Sequence, residues 1–202
     1  TVREKITEYG ADGSLLFNNS HEIHRVNFIE KILATVLAKI ANFIPEAGIW
    51  MNTQRPEWND ANNALVGNGA SMVTLYYLRR FLKFFENIIS KSGIEFVPVS
   101  EELYYFFTGV TTILSQNRTL LKNRFSDHDR NNITNALGQA GSSYRSAVYD
   151  LGFSGNKHPL SLGAISGFLQ IALQYAEHSI AANRRKDNLY HAYNLITVQE
   201  NE

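Results

Sequence analysis

The sequence contains no cysteine, which excludes disulfides, thiolate metal sites and cysteine nucleophiles. It has no excess charge either. Its 19 basic and 19 acidic residues give a formal net charge of +0, which argues against nucleic acid or an anionic membrane as the main partner, because both select a basic surface. No apolar run is long enough to span a bilayer.

Sequence signatures of cofactor and metal sites are missing as well. There is no P-loop, no dinucleotide fingerprint and no G-x-S-x-G nucleophile motif. His21 and His24 have a spacing that can hold a metal, but no glutamate completes the H-E-x-x-H pattern. We therefore expect no cofactor and no metal ion.

The sequence pattern predicts that long helices account for most of the chain. Apolar residues recur at spacings of three and four in about five long segments, which predicts helices at about 21–44, 70–90, 101–122, 128–151 and 160–184. The predicted N-terminal caps are Ser20, Ser100, and Ser126 or Asp127. The tail 187–199 is expected to be a short strand or an extended segment.

These elements predict an all-α fold. Antiparallel helical hairpins, or a portion of an α/α toroid, suit long helices joined by long connectors, and residues 1–202 are expected to form a single helical domain. The second helix is apolar nearly all round, so it should be buried on several sides. The predicted core comprises Leu33, Val36, Leu78, Phe81, Phe85 and Ile89.

Both tryptophans lie in one polar stretch, residues 50–69. Tryptophan faces can cover the C–H faces of a sugar, and planar amides and carboxylates can bind its vicinal hydroxyls. The alternative is a polar loop whose Asn and Asp side chains cap turns and helix starts. The candidate residues of this stretch are Trp50, Arg55, Glu57, Trp58, Asn59, Asp60, Asn62 and Asn63.

Two segments carry a family resemblance. The run Pro56-Glu57-Trp58-Asn59-Asp60-Ala61-Asn62-Asn63-Ala64 resembles the segment that holds the acid in glycoside hydrolases and phosphorylases of the (α/α)6-toroid type. Residues 183–195 resemble segments of large bacterial proteins that contain such toroids. A complete toroid has about twelve helices and this chain has about five. The resemblance therefore implies a portion of a longer protein, with an oligosaccharide or glycoside as substrate and other domains of the parent chain as partners.

Within this resemblance, Asp60 matches the acid and Glu57 is the fallback. Glycosidic cleavage needs an acid and a second carboxylate. Residues three apart on a helix have Cβ atoms about 5–6 Å apart, too close for these two to straddle a sugar ring, so one serves as acid and its partner lies elsewhere. Glycines at 67–69 before a helix keep phosphorolysis open beside hydrolysis.

The other candidates each have two interpretations. Trp50 and Trp58 either stack on sugar rings or are buried with the indole N–H bonded. Arg55 either anchors a hydroxyl or pairs with Glu57. Asn59, Asn62 and Asn63 either bind hydroxyls or shape turns. His191 either lines the same cleft as Trp58 or packs in a tyrosine–histidine cluster.

Two other functions remain open besides glycoside hydrolysis or phosphorolysis. One is a non-catalytic helical domain that packs against other domains of a larger protein, and the other is a module that binds a peptide in a groove. Geometry separates them: an enzyme site should bring Trp50, Trp58, Asp60 and His191 to one open cleft.

Overall fold

The computed structural model describes residues 2–52 and 64–197, which form six α-helices and six short strands. The helices are α1 (Val2–Tyr9), α2 (Phe28–Ile40), α3 (Met72–Ile89), α4 (Glu101–Gln116), α5 (Asp127–Ser146) and α6 (Leu162–Ala182). The strands are β1 (Phe43–Ile44), β2 (Gly48–Trp50), β3 (Gly69–Ser71), β4 (Phe96–Ser100), β5 (Lys157–Ser161) and β6 (Tyr193–Leu195). A π-helical turn, Ala147–Leu151, continues α5.

The prediction of an all-α fold is wrong, because two antiparallel sheets connect the helices. The first has the strand order β1-β2-β3-β6, and the second pairs β4 with β5. In the first sheet, Ala70 of β3 lies between Trp50 of β2 and Asn194 of β6. The expectation of a short strand or an extended segment in the tail 187–199 is confirmed by β6. The other five strands escaped prediction because each is two to five residues long, which is too short to show a clear alternation of apolar and polar residues.

Four of the predicted helices correspond to α3, α4, α5 and α6. The Ser126 cap is confirmed, since its hydroxyl accepts a hydrogen bond from the Asp129 amide at 3.1 Å. Ser100 occupies the cap position of α4 but makes no side-chain cap bond. The prediction for α2 began too early. Asn27, and not Ser20, caps this helix by accepting from the Glu30 amide at 2.8 Å.

One continuous apolar core lies between α2, α3, α4 and α6 and includes Leu33, Val36, Leu78, Phe85 and Ile89, as predicted. The prediction for Phe81 is wrong: it is partly buried and packs against the core from the outside. The small residues of α5 allow a close approach to the end of α2. A Cβ at Gly141 would lie 2.8 Å from the Cβ of Ala41, so a larger residue would push the two segments apart.

Candidate functional site

Most of the predicted sugar site falls in residues 53–63, which lie outside the described residues. These predictions concern Arg55, Glu57, Trp58, Asn59, Asp60, Asn62 and Asn63. Among the predicted site residues, the structure places Trp50 and His191. Trp50 ends β2, three residues before the segment, and His191 lies two residues before β6.

Trp50 ends β2 and presents a large aromatic surface. Its side chain is 39% exposed. The indole N–H donates to the Gly67 carbonyl at 3.0 Å, so the polar edge of the ring is satisfied within the protein. The backbone amide of Trp50 donates to the Asn42 carbonyl at 2.7 Å. Trp50 is therefore fixed by two hydrogen bonds and lies outside the buried core.

Two asparagine side chains lie beside Trp50. The amide of Asn52 donates to Oδ1 of Asn42 at 2.7 Å, and the amide of Asn42 donates to the Ala38 carbonyl at 2.8 Å. Asn52 is exposed. Because it follows Trp50 by two residues in an extended chain, both side chains project to the same side. The exposed indole of Trp50 and the planar amides of Asn42 and Asn52 therefore lie side by side.

Hydrogen bonds of Met51 join the end of β2 to the start of β3. The Met51 amide donates to the Gly69 carbonyl at 2.9 Å, and the Gly67 amide donates to the Met51 carbonyl at 2.7 Å. The chain therefore leaves β2 and returns to β3 at adjacent points, next to Trp50.

His191 lies at the other end of the sheet. It is exposed and precedes by four residues Leu195, the residue of β6 that pairs with Gly69. His191 therefore lies two residues before β6, beyond its Tyr193 end, whereas Met51 bonds to Gly69 at the level of Leu195. Its carbonyl accepts from the Tyr76 hydroxyl at 2.7 Å, and Tyr76 meets Tyr190 edge-on with centroids 6.1 Å apart. Burial, followed by the nearby Tyr190, raises the pKa of Tyr76.

The tail 183–195 holds the sheet together. The Asn194 amide donates to the Ala47 carbonyl and to Oδ1 of Asn183, both at 2.8 Å, and the Asn183 amide donates to the Glu46 carbonyl at 2.7 Å. These bonds fix the turn between β1 and β2. Since β6 pairs with β3 and β3 with β2, residues 193–195 of the second resembling segment lie in the same sheet as the strands that precede and follow residues 56–64 in the sequence.

Sequence reasoning missed a buried polar network between α2 and the second sheet. Glu30 is 3% exposed. Its Oε1 accepts from the backbone amide of Ser100 at 3.0 Å and also from the Ser100 hydroxyl. Its Oε2 accepts from Lys157 Nζ at 3.2 Å. These residues are far apart in sequence, so no local pattern could have indicated the network.

His24 completes this network. Its Nε2 lies 2.9 Å from Ser100 Oγ. Because the Ser100 hydroxyl gives its one proton to Glu30, we assign the proton of His24 to Nε2, which then donates to Ser100. The ring stacks on Phe153 with centroids 3.7 Å apart. Burial, then the charge of Lys157, lowers the pKa of His24.

The network is saturated, which indicates a structural role. Lys157 Nζ donates to Glu30, to Ser100 Oγ at 2.9 Å and to the Arg25 carbonyl at 3.3 Å, which uses all three of its protons. Nearby, burial raises the pKa of Tyr144 to about 12, with smaller contributions from Glu30 and Glu102. No group of three or more His, Asp or Glu residues in the described ranges is arranged to hold a metal ion.

The described helices show no membrane span, and comparisons with known proteins identify no family. Within residues 2–52 and 64–197, every helix is too short or too polar to cross a bilayer. No protein-family model matches the sequence, and a search of curated proteins finds no significant match.

Proposed function

We propose that this chain binds a carbohydrate at the Trp50 end of the first sheet and takes part in cleavage of a glycosidic bond, by hydrolysis or phosphorolysis. The observation that carries the proposal is the exposed face of Trp50, whose N–H is already bonded to Gly67, beside the amides of Asn42 and Asn52. A sugar ring offers an apolar C–H face for the indole and vicinal hydroxyls for the amides.

The 53–63 segment supplies the remaining chemistry in this proposal. Asp60 is the general acid and Glu57 its fallback, while Trp58, Arg55 and the asparagines at 59, 62 and 63 contact the sugar. The support is topological: Met51, two residues before the segment, is hydrogen-bonded to Gly67 and Gly69, which follow it, next to Trp50. His191 is left out of the proposed site, because it precedes the Tyr193 end of β6, whereas the segment follows β2 at the level of Leu195.

A second carboxylate completes the reaction. An inverting enzyme places its two carboxyl groups about 6.5–9.5 Å apart, and a retaining enzyme about 5–5.5 Å apart. Glu30 is unsuited to this role because both of its oxygens are bonded to Ser100 and Lys157. We propose that another domain of a longer protein supplies the second carboxylate.

Binding is tested on the 202-residue chain by calorimetric titration with a panel of oligosaccharides. Trp50→Ala should weaken binding at least about tenfold, because the stacking surface is lost, whereas Trp50→Phe should recover part of it. Tyr149→Ala is the matched control, since Tyr149 is also an exposed aromatic residue and lies in the π-helical turn. Binding that survives Trp50→Ala unchanged would contradict the proposed site.

Catalysis is tested on the intact polypeptide that carries this chain. Hydrolysis creates one new reducing end for each bond cleaved, whereas phosphorolysis requires inorganic phosphate and releases a sugar 1-phosphate, so assays of these two products distinguish the reactions. Asp60→Asn should abolish turnover and leave binding intact, because Asn keeps the shape of Asp but cannot donate the proton. If Asp60→Asn and Glu57→Gln, singly and together, leave turnover unchanged, the segment does not provide the acid.

A further inference from the structure

Helix α3 has a second apolar surface in addition to its core face. Tyr77, Phe81, Phe84 and Ile88 recur at spacings of four, three and four, which places them on one side of the helix. Tyr77 is 68% exposed and Phe84 is 59% exposed. Other residues of α3 form its core side, and of this row Phe81 packs against the core from the outside. A helix with two apolar sides normally has a neighbour on each.

The row continues onto α2. Phe28 is 73% exposed and Ile32 is partly buried, and they lie four residues apart on the same side of α2. We call these residues the α2–α3 face: Phe28, Ile32, Tyr77, Phe81, Phe84 and Ile88. Clusters of exposed large apolar side chains mark interaction sites more often than single exposed residues do.

A groove runs between the two helices at this face. Its volume is about 340 Å³, and Ile32, Val36, Tyr77, Leu78 and Phe81 form most of its lining. An amphipathic helix that lies in such a groove inserts residues spaced by three and four. From Tyr77 to Ile88 the row spans about 17 Å at 1.5 Å per residue, which matches about three turns of a bound helix.

The charges beside the face are mainly basic. Lys39 lines the groove. On the other side of Phe84, a shallow depression of about 630 Å³ is lined by Arg79, Arg80 and Lys83, with Glu86 as its acidic residue. Arg79 pairs with Glu177 at 2.8 Å. For Lys39, Arg80 and Lys83, no salt bridge to another described residue is present.

We propose that the α2–α3 face is a docking site for an amphipathic helix of a partner protein or domain. The apolar row of that helix enters the groove between α2 and α3. Acidic residues beside the row face Lys39 on one side and Arg80 and Lys83 on the other. Charge complementarity selects the partner, and apolar contact provides most of the affinity. This interaction is independent of the proposed sugar site.

The test uses the 202-residue chain and a fluorescein-labelled synthetic helical peptide. The peptide carries leucines at spacings of three and four, with glutamates beside them. A matched peptide has lysine in place of each glutamate. Fluorescence anisotropy should show at least about tenfold tighter binding of the glutamate peptide at low salt, and the difference should shrink as salt is raised. Equal binding of the two peptides would overturn the proposal.

Variants locate the site. The double variant Tyr77→Ser, Phe84→Ser should weaken binding of the glutamate peptide at least about tenfold. The double variant Arg80→Glu, Lys83→Glu should bind the lysine peptide more tightly than the glutamate peptide. Tyr149→Ser is the control, because it removes an equally exposed aromatic residue outside the face. Circular dichroism checks that each variant is folded.

Two outcomes would refute the assignment. The first is unchanged peptide binding in the Tyr77→Ser and Phe84→Ser variant. The second is a concentration-dependent dimer in sedimentation velocity that this variant abolishes, because the face would then bind a second copy of the chain.

Discussion

Replacement of Glu30 by alanine should be the most damaging single change in the network between α2 and the second sheet. The buried Ser100 amide would lose its acceptor, which costs about 1–3 kcal/mol. The Lys157 side chain is 34% exposed, and water can solvate it when the ion pair is lost, so this contribution is at most about 1 kcal/mol. Together the two effects predict a loss of about 1–4 kcal/mol in the free energy of unfolding.

Two further variants separate the hydrogen bonds from the charge. Glu30→Gln keeps an oxygen that can accept from Ser100 but loses the charge, so it should cost about 1 kcal/mol. Lys157→Met removes the cation and its own bond to Ser100 Oγ, but it leaves the two bonds from Ser100 to Glu30, so it should cost less than Glu30→Ala. Urea unfolding at neutral pH, followed by circular dichroism, measures the order. If Lys157→Met costs as much as Glu30→Ala, the ion pair dominates and the reasoning is wrong.

Four other substitutions test the fold. Phe85→Ala should cost about 3–5 kcal/mol and Phe84→Ala less than about 1 kcal/mol in urea unfolding, since the first is buried and the second exposed. Gly48→Ala should lower the melting temperature, because Gly48 has φ +119 and a Cβ there would lie 2.7 Å from the Ser71 carbonyl oxygen. Burial lowers the pKa of His24 below 6.5 in the folded state, so its contribution to stability is complete above about pH 6.5 and is lost as the pH falls through its folded pKa. His24→Gln should therefore flatten the decline in melting temperature between about pH 7 and 5.

The helices could be predicted well because their signals are local. Ser126, the acidic first turn of α5 and the apolar spacing all lie within one segment. The start of α2 was misplaced because Ser20 and Asn27 are both good caps, and the choice depends on a distant contact. The Asn27 amide donates to the Pro98 carbonyl at 2.6 Å, which anchors the cap against β4.

Apart from β6, the strands could not be predicted because they depend on pairing with distant segments. Pro98 in β4 and Pro159 in β5 lie opposite each other, and proline is a signal against a strand. A two-stranded ribbon tolerates both, since each strand has a free side. The neighbours of Trp50 could not be predicted for the same reason, because they come from other segments. Trp50 was identified from composition, whereas Asn42, which bonds to Asn52 beside it, belongs to a segment that was predicted to be helical.

The order of strands in the first sheet affects how the protein folds during its synthesis on the ribosome. Ala70 in β3 pairs on one side with Trp50, which is synthesised earlier, and on the other with Asn194, which is synthesised much later. Until residues 193–195 emerge, one edge of β3 presents unpaired amides and carbonyls to other chains. Folding of this sheet therefore requires a long-range closure, and such closures are slow. A chain that stops before Tyr193 should aggregate as it is made.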